Sequence, residues 1–264
     1  YSFCLGIFIL ACKTSSDVTP ASTTSTTTGG TTTPNTSITK TSTSFIDSAF
    51  APYKSASLAT NWDDTYFYVS SNGIPAHNMM VGITSWQQQV PIAQPYTGTN
   101  HWSIPLAPVY AATPVSTKTN FMKGAVALAV NGVPIFNALN NRGEDSFLIG
   151  ELDQWGGHCG RADDYHYHIA PLHLYGTSPT SLPIAYALDG FAVYGSKEPD
   201  GSNMLSLDVN HGHYANNGVY HYHGTSTAPY MIANMVGKVT EDSTLQIIPQ
   251  AAAKPIRPSG TPLK

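Results

Sequence analysis

The sequence predicts a mainly β fold, a sandwich-like or barrel-like single domain with an internal repeat and few short helices. The composition, with 22 Gly, 19 Pro, 15 Tyr and only 11% charged residues, favours turns and short strands over long salt-bridged helices. Short apolar or aromatic runs lie between Gly, Pro and Asn residues, as strands do between turns. A histidine-containing motif also occurs twice, which predicts a duplicated unit.

The runs have the length of strands, and amphipathic periodicity extends over no more than two turns of helix. The predicted strands are 65–70, 125–130, 184–188, 191–194, 219–223 and 245–248. Asn131-Gly132 predicts a hairpin turn, since this pair tolerates positive φ. The nearest candidates for the few short helices are the stretches near 143–152 and 229–236.

The N-terminal residues 1–12 are predicted to be a truncated signal peptide, because their apolar run is too short to span a bilayer. Ile9-Leu10-Ala11-Cys12 resembles a bacterial lipobox, so we expect Cys12 to carry a lipid that anchors the chain to the membrane. The protein is then an exported lipoprotein of the bacterial cell envelope, on the outer membrane or cell surface. An ordinary signal peptide, with a secreted or periplasmic product, is the alternative.

Composition divides the remaining chain into three parts. Residues 13–44 are rich in Ser and Thr and predict a disordered tether, 45–250 form the β-rich domain, and 251–264 are a C-terminal tail. If Cys4 leaves with the signal peptide and Cys12 is lipidated, only Cys159 remains, and no internal disulfide can form. The formal charge of −4 and the absence of a Lys/Arg run argue against a nucleic-acid partner.

The repeat joins two motifs at a constant spacing. Leu-Asp-x-x-x-Gly-His at 152–158 recurs at 207–213, and Tyr-His-Tyr-His at 165–168 recurs at 220–223. Matched positions always have the same offset in residue number (213 − 158 = 55, 221 − 166 = 55). Such agreement indicates two equivalent structural units. Each is expected to present one histidine from a loop that turns at a glycine, and two from a strand.

The two strand histidines of each unit should point to the same face, because side chains alternate along a strand. With the loop histidine they would form a three-nitrogen set suited to a divalent transition metal, with Zn and Cu the leading choices. Satisfied imidazoles in a core are the alternative. The predicted ligands are His158, His166, His168, His213, His221 and His223.

Further side chains around these motifs are weaker candidates. Cys159 could be a soft ligand or a reactive thiol, with a buried structural residue as an equal alternative. His211, His173 and His77 could add ligands, although a structural role is the simpler interpretation of each. Asp153 and Asp208 hold matched positions and could accept hydrogen bonds from imidazole N–H groups. Asp189 and Asp164 are candidate catalytic carboxylates, and a turn role is the alternative for Asp189.

These motifs resemble those of the YHYH domain family. The resemblance is carried by both Tyr-His-Tyr-His motifs, Asn131-Gly132-Val133-Pro134, the segment Gly156–Gly160, Asp189-Gly190-Phe191 and Gly73-Ile74-Pro75-x-His77, over about residues 61–237. The family comprises exported bacterial proteins of uncharacterised function. The resemblance therefore implies export and specifies no reaction.

Three functions remain open at this point. A metal-dependent hydrolase or oxidoreductase would use an ion-bound water or redox chemistry beside the motif tyrosines. A non-enzymatic metal-binding or structural module would hold the ion in a closed site. A carbohydrate or other small-molecule binding domain would use the aromatic residues, among them Trp62, Trp86, Trp102 and Trp155. Six histidines suit either two sites or one dinuclear centre.

Overall fold

The computed structural model describes residues 39–84, 100–159 and 165–248. These residues all lie within one unit of the chain, Pro34–Lys264. The predictions for the signal peptide, for Cys12, for most of the tether, for Trp86, for Asp164 and for the C-terminal tail fall outside the described residues.

The described chain contains one α-helix, α1 (Thr43–Phe50), and two 3-10 helices, Ala51–Tyr53 and Leu172–Gly176. The strands are β1 (Leu58–Trp62), β2 (Tyr66–Ser71), β3 (Asn100–Pro105), β4 (Tyr110–Ser116), β5 (Ala127–Ala129), β6 (Pro134–Ile135), β7 (Gly157–Cys159), β8 (Tyr165–Tyr167), β9 (Ala185–Ala187), β10 (Ala192–Tyr194), β11 (Gly212–Tyr214), β12 (Tyr220–His223), β13 (Asn234–Gly237), β14 (Thr240–Glu241) and β15 (Ile247–Ile248). None of these helices has the length and apolar character needed to span a bilayer.

Helix α1 starts at Ser42, whose hydroxyl accepts a hydrogen bond from the Phe45 N–H and so satisfies one free helix donor. Its buried face ends in Phe50, whose ring stacks on Phe67 of β2 at 5.8 Å and on Tyr186 of β9 at 6.1 Å between ring centres. These aromatic contacts pack α1 against two different sheets.

Two sheets form most of the described architecture. The smaller has the order β1-β2-β3 with antiparallel pairing throughout. Burial alternates along β2, so that Phe67 and Val69 face the core. The larger sheet has eight strands in the order β11-β12-β10-β9-β5-β6-β8-β7. Two further pairs, β4 with β13 and β14 with β15, complete the described strands.

The eight-stranded sheet consists of two equivalent halves that meet between β5 and β9. At its centre Leu128 pairs with Tyr186, while Ala127 pairs with Ala187 and Ala129 with Ala185. Exchanging the two halves reproduces this pairing, so the sheet has an approximate twofold axis at the Leu128–Tyr186 pair. Each half contains one parallel pair, β6 with β8 in the first half and β10 with β12 in the second. The second strand of this pair also forms an antiparallel pair with the edge strand, β8 with β7 and β12 with β11, and these edge hairpins carry the histidines.

The repeat also includes the hairpins that begin each half. Asn131-Gly132 connects β5 to β6 and Asp189-Gly190 connects β9 to β10, with a slightly larger offset in residue number (189 − 131 = 58). Both glycines have positive φ, 81° and 99°. A glycine has no Cβ to oppose that conformation, which explains its presence in both turns.

The mainly β fold class with an internal repeat and one short α-helix is confirmed. Each predicted strand overlaps an observed one, and the Asn131-Gly132 turn is present with the expected positive φ. The helices expected near 143–152 and 229–236 are wrong. The first segment forms turns, and the second leads from turns into β13.

Candidate metal centres

The motif histidines lie on paired strands at the two ends of the eight-stranded sheet. In one hairpin His158 of β7 is directly opposite His166 of β8, and in the other His213 of β11 is opposite His221 of β12. The expectation that His158 and His213 come from loops is therefore wrong. Cross-strand pairing brings each of them next to its partner imidazole.

The first centre consists of His158, His166 and His168, one nitrogen of each lying within 4.8 Å of the others. The three ring centres are 4.9 Å apart in every pairing. All three side chains are buried, and Phe136 stacks on His166 at 4.1 Å between ring centres. The rings are thus held together inside the protein.

Backbone carbonyls determine where the protons of the first centre sit. His158 Nδ1 is 3.0 Å from the Glu151 carbonyl oxygen, and His168 Nδ1 is 2.6 Å from that of Asn137. A carbonyl only accepts, so each Nδ1 carries the proton and each Nε2 of the neutral ring presents a lone pair. The two Nε2 atoms are 3.1 Å apart, and their lone pairs therefore face each other.

The second centre adds a carboxylate to three imidazoles. Its ligand atoms come from His213, His221, His223 and Glu198, again within 4.8 Å of one another. His213 Nε2 is 3.1 Å from His221 Nε2 and 3.2 Å from His223 Nε2. Glu198 Oε2 lies 3.1 Å from both His213 Nε2 and His221 Nε2, and Oε1 lies 3.5 Å from His223 Nε2.

The second centre uses the same kind of orienting contact as the first. His213 Nδ1 is 3.3 Å from the Ser206 carbonyl oxygen, and His223 Nδ1 is 2.5 Å from that of Gly195. Ser206 matches Glu151 at the offset of the histidine motifs (206 − 151 = 55), so the repeat includes this backbone acceptor. Carbonyl groups behind metal-ligating imidazoles fix the ring orientation and leave Nε2 free to bind.

Equivalent loops carry different residues beside the two centres. Glu198 N–H donates to the Ser202 carbonyl just as Asn140 N–H donates to the Glu144 carbonyl, and the two loops have the larger offset (198 − 140 = 58). The Asn140 side chain donates to Glu151 instead of joining the imidazoles. The first centre is therefore formed by neutral ligands, whereas the second includes an anion.

Burial favours the neutral form of three imidazoles in the two centres. It lowers the pKa of His158 to about 3, with repulsion from His166 as the second cause, and lowers the pKa of His168 to about 3, with repulsion from His158 second. Burial and then the charges of His223 and His213 lower the pKa of His221 to about 4, although Glu198 opposes this shift. Neutral imidazole is the form that binds a metal.

The ligand atoms form two separate groups. Within the described part of the chain, ring contacts connect histidines of the same group and none connects the first group to the second. The hairpins also lie at opposite ends of the strand order. This arrangement favours two mononuclear centres over one dinuclear centre.

Asp153 and Asp208 orient tyrosines and backbone rather than imidazoles. Asp153 accepts from the Tyr165 hydroxyl at 3.0 Å, and Asp208 accepts from the Tyr220 hydroxyl at 2.9 Å. Each also accepts from the N–H of the glycine that begins the histidine strand, Gly157 or Gly212. The expected contact with imidazole N–H is replaced by the backbone carbonyls described above, and the aspartates hold the opposite face of each hairpin.

Asp189 lies in a closed hydrogen-bond network away from both groups of ligand atoms. Its carboxylate accepts from the Tyr222 hydroxyl at 2.7 Å and from the Gly237 N–H at 2.9 Å. Burial raises the pKa of Asp189 above its usual value, while these hydrogen bonds oppose the rise. A catalytic role is not supported by these contacts, and the turn interpretation fits better. Asp164 lies outside the described residues.

Cys159 and His211 do not join either group. Cys159 follows His158 on β7 and pairs with Tyr165, so its buried side chain is in the apolar core on the tyrosine face. His211 Nδ1 lies 2.8 Å from the carbonyl oxygens of both His223 and Met231. These backbone contacts give His211 a structural role.

His77 and His173 meet at the hydroxyl of Tyr167, on the face of β8 opposite to His166 and His168. His77 Nε2 is 3.0 Å and His173 Nε2 is 3.4 Å from this hydroxyl, which also accepts from the Asn131 side-chain amide. Burial, followed by repulsion from His77, lowers the pKa of His173 to about 4. Both residues are thus separate from the first centre.

The tryptophans do not form one surface among the described residues. Trp62 is 48% exposed on β1, whereas Trp102 on β3 is 7% exposed. Trp155 is partly buried and stacks on His77 at 4.9 Å. A planar aromatic patch, as a carbohydrate-binding surface would need, is therefore not apparent in these residues.

The family comparison matches the part of the chain that contains the first centre. Residues 101–203 match the family model described as YHYH protein. This match confirms the resemblance to the YHYH family that the motifs indicate. It includes His158, His166, His168 and also Glu198 of the second centre, and it ends before the second Tyr-His-Tyr-His motif. Comparisons with curated proteins and with solved structures gave no match.

Glu198 is a candidate ligand that the repeated motifs did not indicate. Glu198 lies 58 residues after its counterpart Asn140, whereas the histidine motifs repeat after 55 residues. Asn140 is also not an ionisable residue. The offset of 58 relates the loop of Glu198, which precedes the second hairpin, to the loop of Asn140, and it is the sequence signal for this position. Because the matched residue Asn140 carries no charge, the repeat does not by itself indicate a carboxylate ligand at this position.

Proposed function

We propose that this chain is a metal-binding protein that holds one divalent transition-metal ion at each of its two histidine centres. The observation that carries the proposal is the 3.1 Å approach of His158 Nε2 to His168 Nε2, with both Nδ1 protons directed to carbonyls. Two facing lone pairs repel each other in a buried site. A cation placed between them converts that repulsion into two coordination bonds.

The donor sets support zinc or copper at both centres. Imidazole nitrogen suits Zn and Cu, and the carboxylate of Glu198 is an acceptable fourth ligand for tetrahedral zinc. Three histidines and a carboxylate complete a four-coordinate set at the second centre. The first centre offers three protein ligands and leaves a fourth position for water.

A metal-dependent hydrolase or oxidoreductase is the second candidate function, favoured by the open position at the first centre. An ion held by three imidazoles would lower the pKa of a bound water to about 7 and so supply a hydroxide nucleophile. The side chains of His158, His166 and His168 are, however, only 3–6% exposed. This burial supports retention of the ion, the non-enzymatic function, ahead of turnover of a large substrate.

Export and anchoring belong to the same proposal. The apolar run of residues 1–12, with a lipobox-like end at Cys12, supports a lipoprotein of the bacterial cell envelope tethered through residues 13–44. Mass spectrometry of the protein from a bacterial membrane fraction tests this part. Diacylglyceryl modification of Cys12 supports this part of the proposal. A mature protein whose N-terminal residue is unmodified contradicts it.

Elemental analysis of the untagged protein tests metal binding. We expect about two equivalents of Zn or Cu in the wild-type protein and about one in each of the variants His166→Ala and His221→Ala. His101→Ala is the matched control, because His101 lies on β3 and contacts Ser70 rather than either centre. It should retain both ions.

Reconstitution with Zn²⁺ and with Cu²⁺ separates loss during purification from inability to bind. Near-ultraviolet circular dichroism establishes that each variant is folded, and His166→Gln replaces His166→Ala if the latter is not. A folded wild-type protein that takes up neither metal after reconstitution contradicts the proposal. Loss of both ions from each single variant contradicts two independent centres.

A further inference from the structure

Each histidine hairpin follows a segment without helix or strand that supplies partners to its metal centre. In the first half this segment is 141–154 and in the second half it is 199–209, here called the first and second covering segments. Their ends correspond at the two offsets of the repeat (199 − 141 = 58, 209 − 154 = 55), so they are two copies of one loop. Differences between them are therefore differences between the two centres.

The two covering segments are buried to different extents. The first contains four buried residues, Ser146, Glu151, Leu152 and Asp153. Of residues 199–209, all of which the structure describes, none is buried, and the apolar side chains of Leu205 and Val209 are 59% and 84% exposed. A segment with few buried groups loses few contacts when it leaves the surface, so the second segment should open at a lower cost in free energy.

Hydrogen bonds to distant parts of the chain hold the first covering segment in place. The Asp145 carboxylate accepts from the Tyr230 hydroxyl, and the Asp153 carboxylate accepts from the Met80 N–H, both at 2.9 Å. Two backbone hydrogen bonds, of 3.0 and 3.1 Å, also join this segment to residues 81–84. All of these bonds must break or rearrange before the first segment can open.

The second covering segment is held mainly by its neighbours. Asn203 has the position of Asp145 (203 − 145 = 58), but its side chain accepts from Lys197, which lies just before the segment, at 2.7 Å. Beyond these preceding residues and its own hairpin, one hydrogen bond from the described residues reaches the segment, from the Asn234 side-chain amide to the Val209 carbonyl at 2.9 Å. The long-range bond made by Asp145 is thus replaced by a local one.

Opening of the second covering segment would remove support from two ligands at once. The Leu205 N–H donates to Glu198 Oε1 at 2.8 Å, and the Ser206 carbonyl oxygen lies 3.3 Å from His213 Nδ1. These contacts hold the carboxylate and the imidazole in position for coordination. The His213 side chain is also 12% exposed, so that a competing ligand can reach it. An open segment would leave the ion with two of its four ligands held in place.

We propose that the second centre is the one at which this protein takes up and releases metal, through opening of the second covering segment, and that the first centre retains its ion. The inference rests on the proposed function, because it assigns different roles to the two metal centres. The rate at which a competing ligand removes the exchangeable ion is then determined by a loop of this chain.

Release of Zn²⁺ from the full chain tests this division. Protein loaded with about two equivalents of Zn²⁺ is mixed with excess 4-(2-pyridylazo)resorcinol, and the coloured zinc complex is followed by stopped-flow absorbance. We expect two phases of about one equivalent each that differ at least about tenfold in rate, since each additional hydrogen bond that resists opening contributes about two- to tenfold. His221→Ala should lack the fast phase, and His166→Ala should lack the slow phase.

Tyr230→Phe loosens the first covering segment without changing a ligand. The variant loses the hydrogen bond to Asp145, so the slow phase should become at least about threefold faster while the fast phase is unchanged. Tyr53→Phe is the matched control, because it removes a hydroxyl that donates to the Leu174 carbonyl, outside both covering segments. It should change neither phase.

Hydrogen exchange in the metal-free protein tests the opening by itself. The Met204 N–H donates to the Ser196 carbonyl at 3.2 Å, and the Ser146 N–H donates to the Ala138 carbonyl at 3.0 Å, at equivalent positions of the two segments (204 − 146 = 58). We expect the Met204 amide to exchange at least about tenfold faster than that of Ser146, measured by NMR and corrected for intrinsic rates.

The possible results distinguish this inference from the proposed function. A protein that binds no Zn²⁺ contradicts both before any release is measured. A protein that binds two ions but releases them at one rate, or that loses its fast phase in His166→Ala, overturns the inference and leaves metal binding intact. Equal protection of the Met204 and Ser146 amides overturns the role of the second covering segment.

Discussion

Glu198 and Asn140 occupy the same position in two copies of one loop, yet only Glu198 contacts imidazoles. The carbonyl of each residue accepts the N–H of the glycine three positions later, Gly201 or Gly143, so the two loops have the same turn. The side chains then diverge. Glu198 reaches His213 and His221 at 3.1 Å, and Asn140 reaches Glu151 at 3.2 Å. The duplicated fold thus gives two centres with different charge.

Replacing Glu198 by Gln should weaken metal binding at the second centre about 10- to 100-fold and leave the first centre unchanged. The variant keeps the shape of the side chain but removes the anion that offsets the charge of the metal. Competition with a chromophoric chelator measures the two affinities. Glu144→Gln, which removes an exposed partner of Arg142, is the control. Equal weakening at both centres would mean that the two ions are not bound independently.

Gly157→Ala should disrupt the first centre. A Cβ at this position would lie 2.6 Å from the His166 carbonyl oxygen and 2.6 Å from the Tyr165 ring, closer than real contacts allow. The strands must then separate, at a cost of about 1–3 kcal/mol, and one metal equivalent should be lost. Thermal unfolding and elemental analysis measure both effects. Gly176→Ala, where a Cβ meets nothing within 4 Å, should be neutral.

Tyr222→Phe should destabilise the protein more than Tyr167→Phe, although the two tyrosines are equivalent in the repeat. The Tyr222 hydroxyl donates to the Asp189 carboxylate at 2.7 Å. The Tyr167 hydroxyl meets neutral groups instead, the Asn131 amide at 3.1 Å and the rings of His77 and His173 at 3.0 and 3.4 Å. Hydrogen bonds to charged groups contribute about 1.5–3 kcal/mol and neutral ones about 0.5–1.5 kcal/mol. Urea unfolding measures the difference. A smaller loss for Tyr222→Phe than for Tyr167→Phe would contradict the stronger contribution expected from the bond to Asp189.

Tyr186→Phe should stabilise the ligand-free protein by about 1–2 kcal/mol. The substitution removes a buried hydroxyl without a partner and leaves the packed ring in place, so the folded state no longer bears the cost of dehydrating that group. Chemical unfolding measures the change. Tyr194→Phe, which removes the hydroxyl of a second buried tyrosine, is the comparison. A stability loss in Tyr186→Phe would indicate that its hydroxyl is already paired.

The metal-free protein should become less stable as the pH falls below about 6.5. The pKa values of His158 and His168 are lowered to about 3 and that of His221 to about 4 by burial, whereas unfolded histidine titrates near 6.5. Between pH 6.5 and 3 the unfolded chain therefore binds more protons, so acid favours unfolding. Urea midpoints between pH 7 and 4 measure this fall. The decrease in stability with falling pH should be smaller in His168→Gln. An equal decrease in this variant would contradict the burial of His168 as one of its causes.

Local patterns predicted the strands, including those that carry the paired histidines, because strands depend on neighbouring residues, but they placed His158 and His213 in loops instead of on the opposing strands. The alternation of Tyr165–His168 places its imidazoles on one face, and the constant offset of 55 identifies the second copy. The parallel pairing of β6 with β8 and of β10 with β12 could not be predicted in this way, since it connects segments separated by long loops.

The site was predicted less completely than the fold for a similar reason. The carbonyls of Glu151 and Asn137 that orient His158 and His168 are backbone groups, which every residue possesses and no sequence pattern distinguishes. The matched positions of Asp153 and Asp208 predict contacts with imidazole N–H groups, but the Asp153 side chain accepts from the Tyr165 hydroxyl instead. Proximity along the chain does not specify which face of a hairpin a carboxylate reaches.

The pairing of β5 with β9 has the form of an isologous interface inside a single chain. Leu128 pairs with Tyr186, and the alanines on either side exchange partners symmetrically, as equivalent residues do across the dyad of a C2 dimer. A polypeptide that contained one half alone would thus present an edge complementary to a second copy of itself. Joining the halves in one chain frees them to diverge, and the carboxylate of Glu198 and the hydroxyl of Tyr186 are differences that a dimer of identical halves could not have.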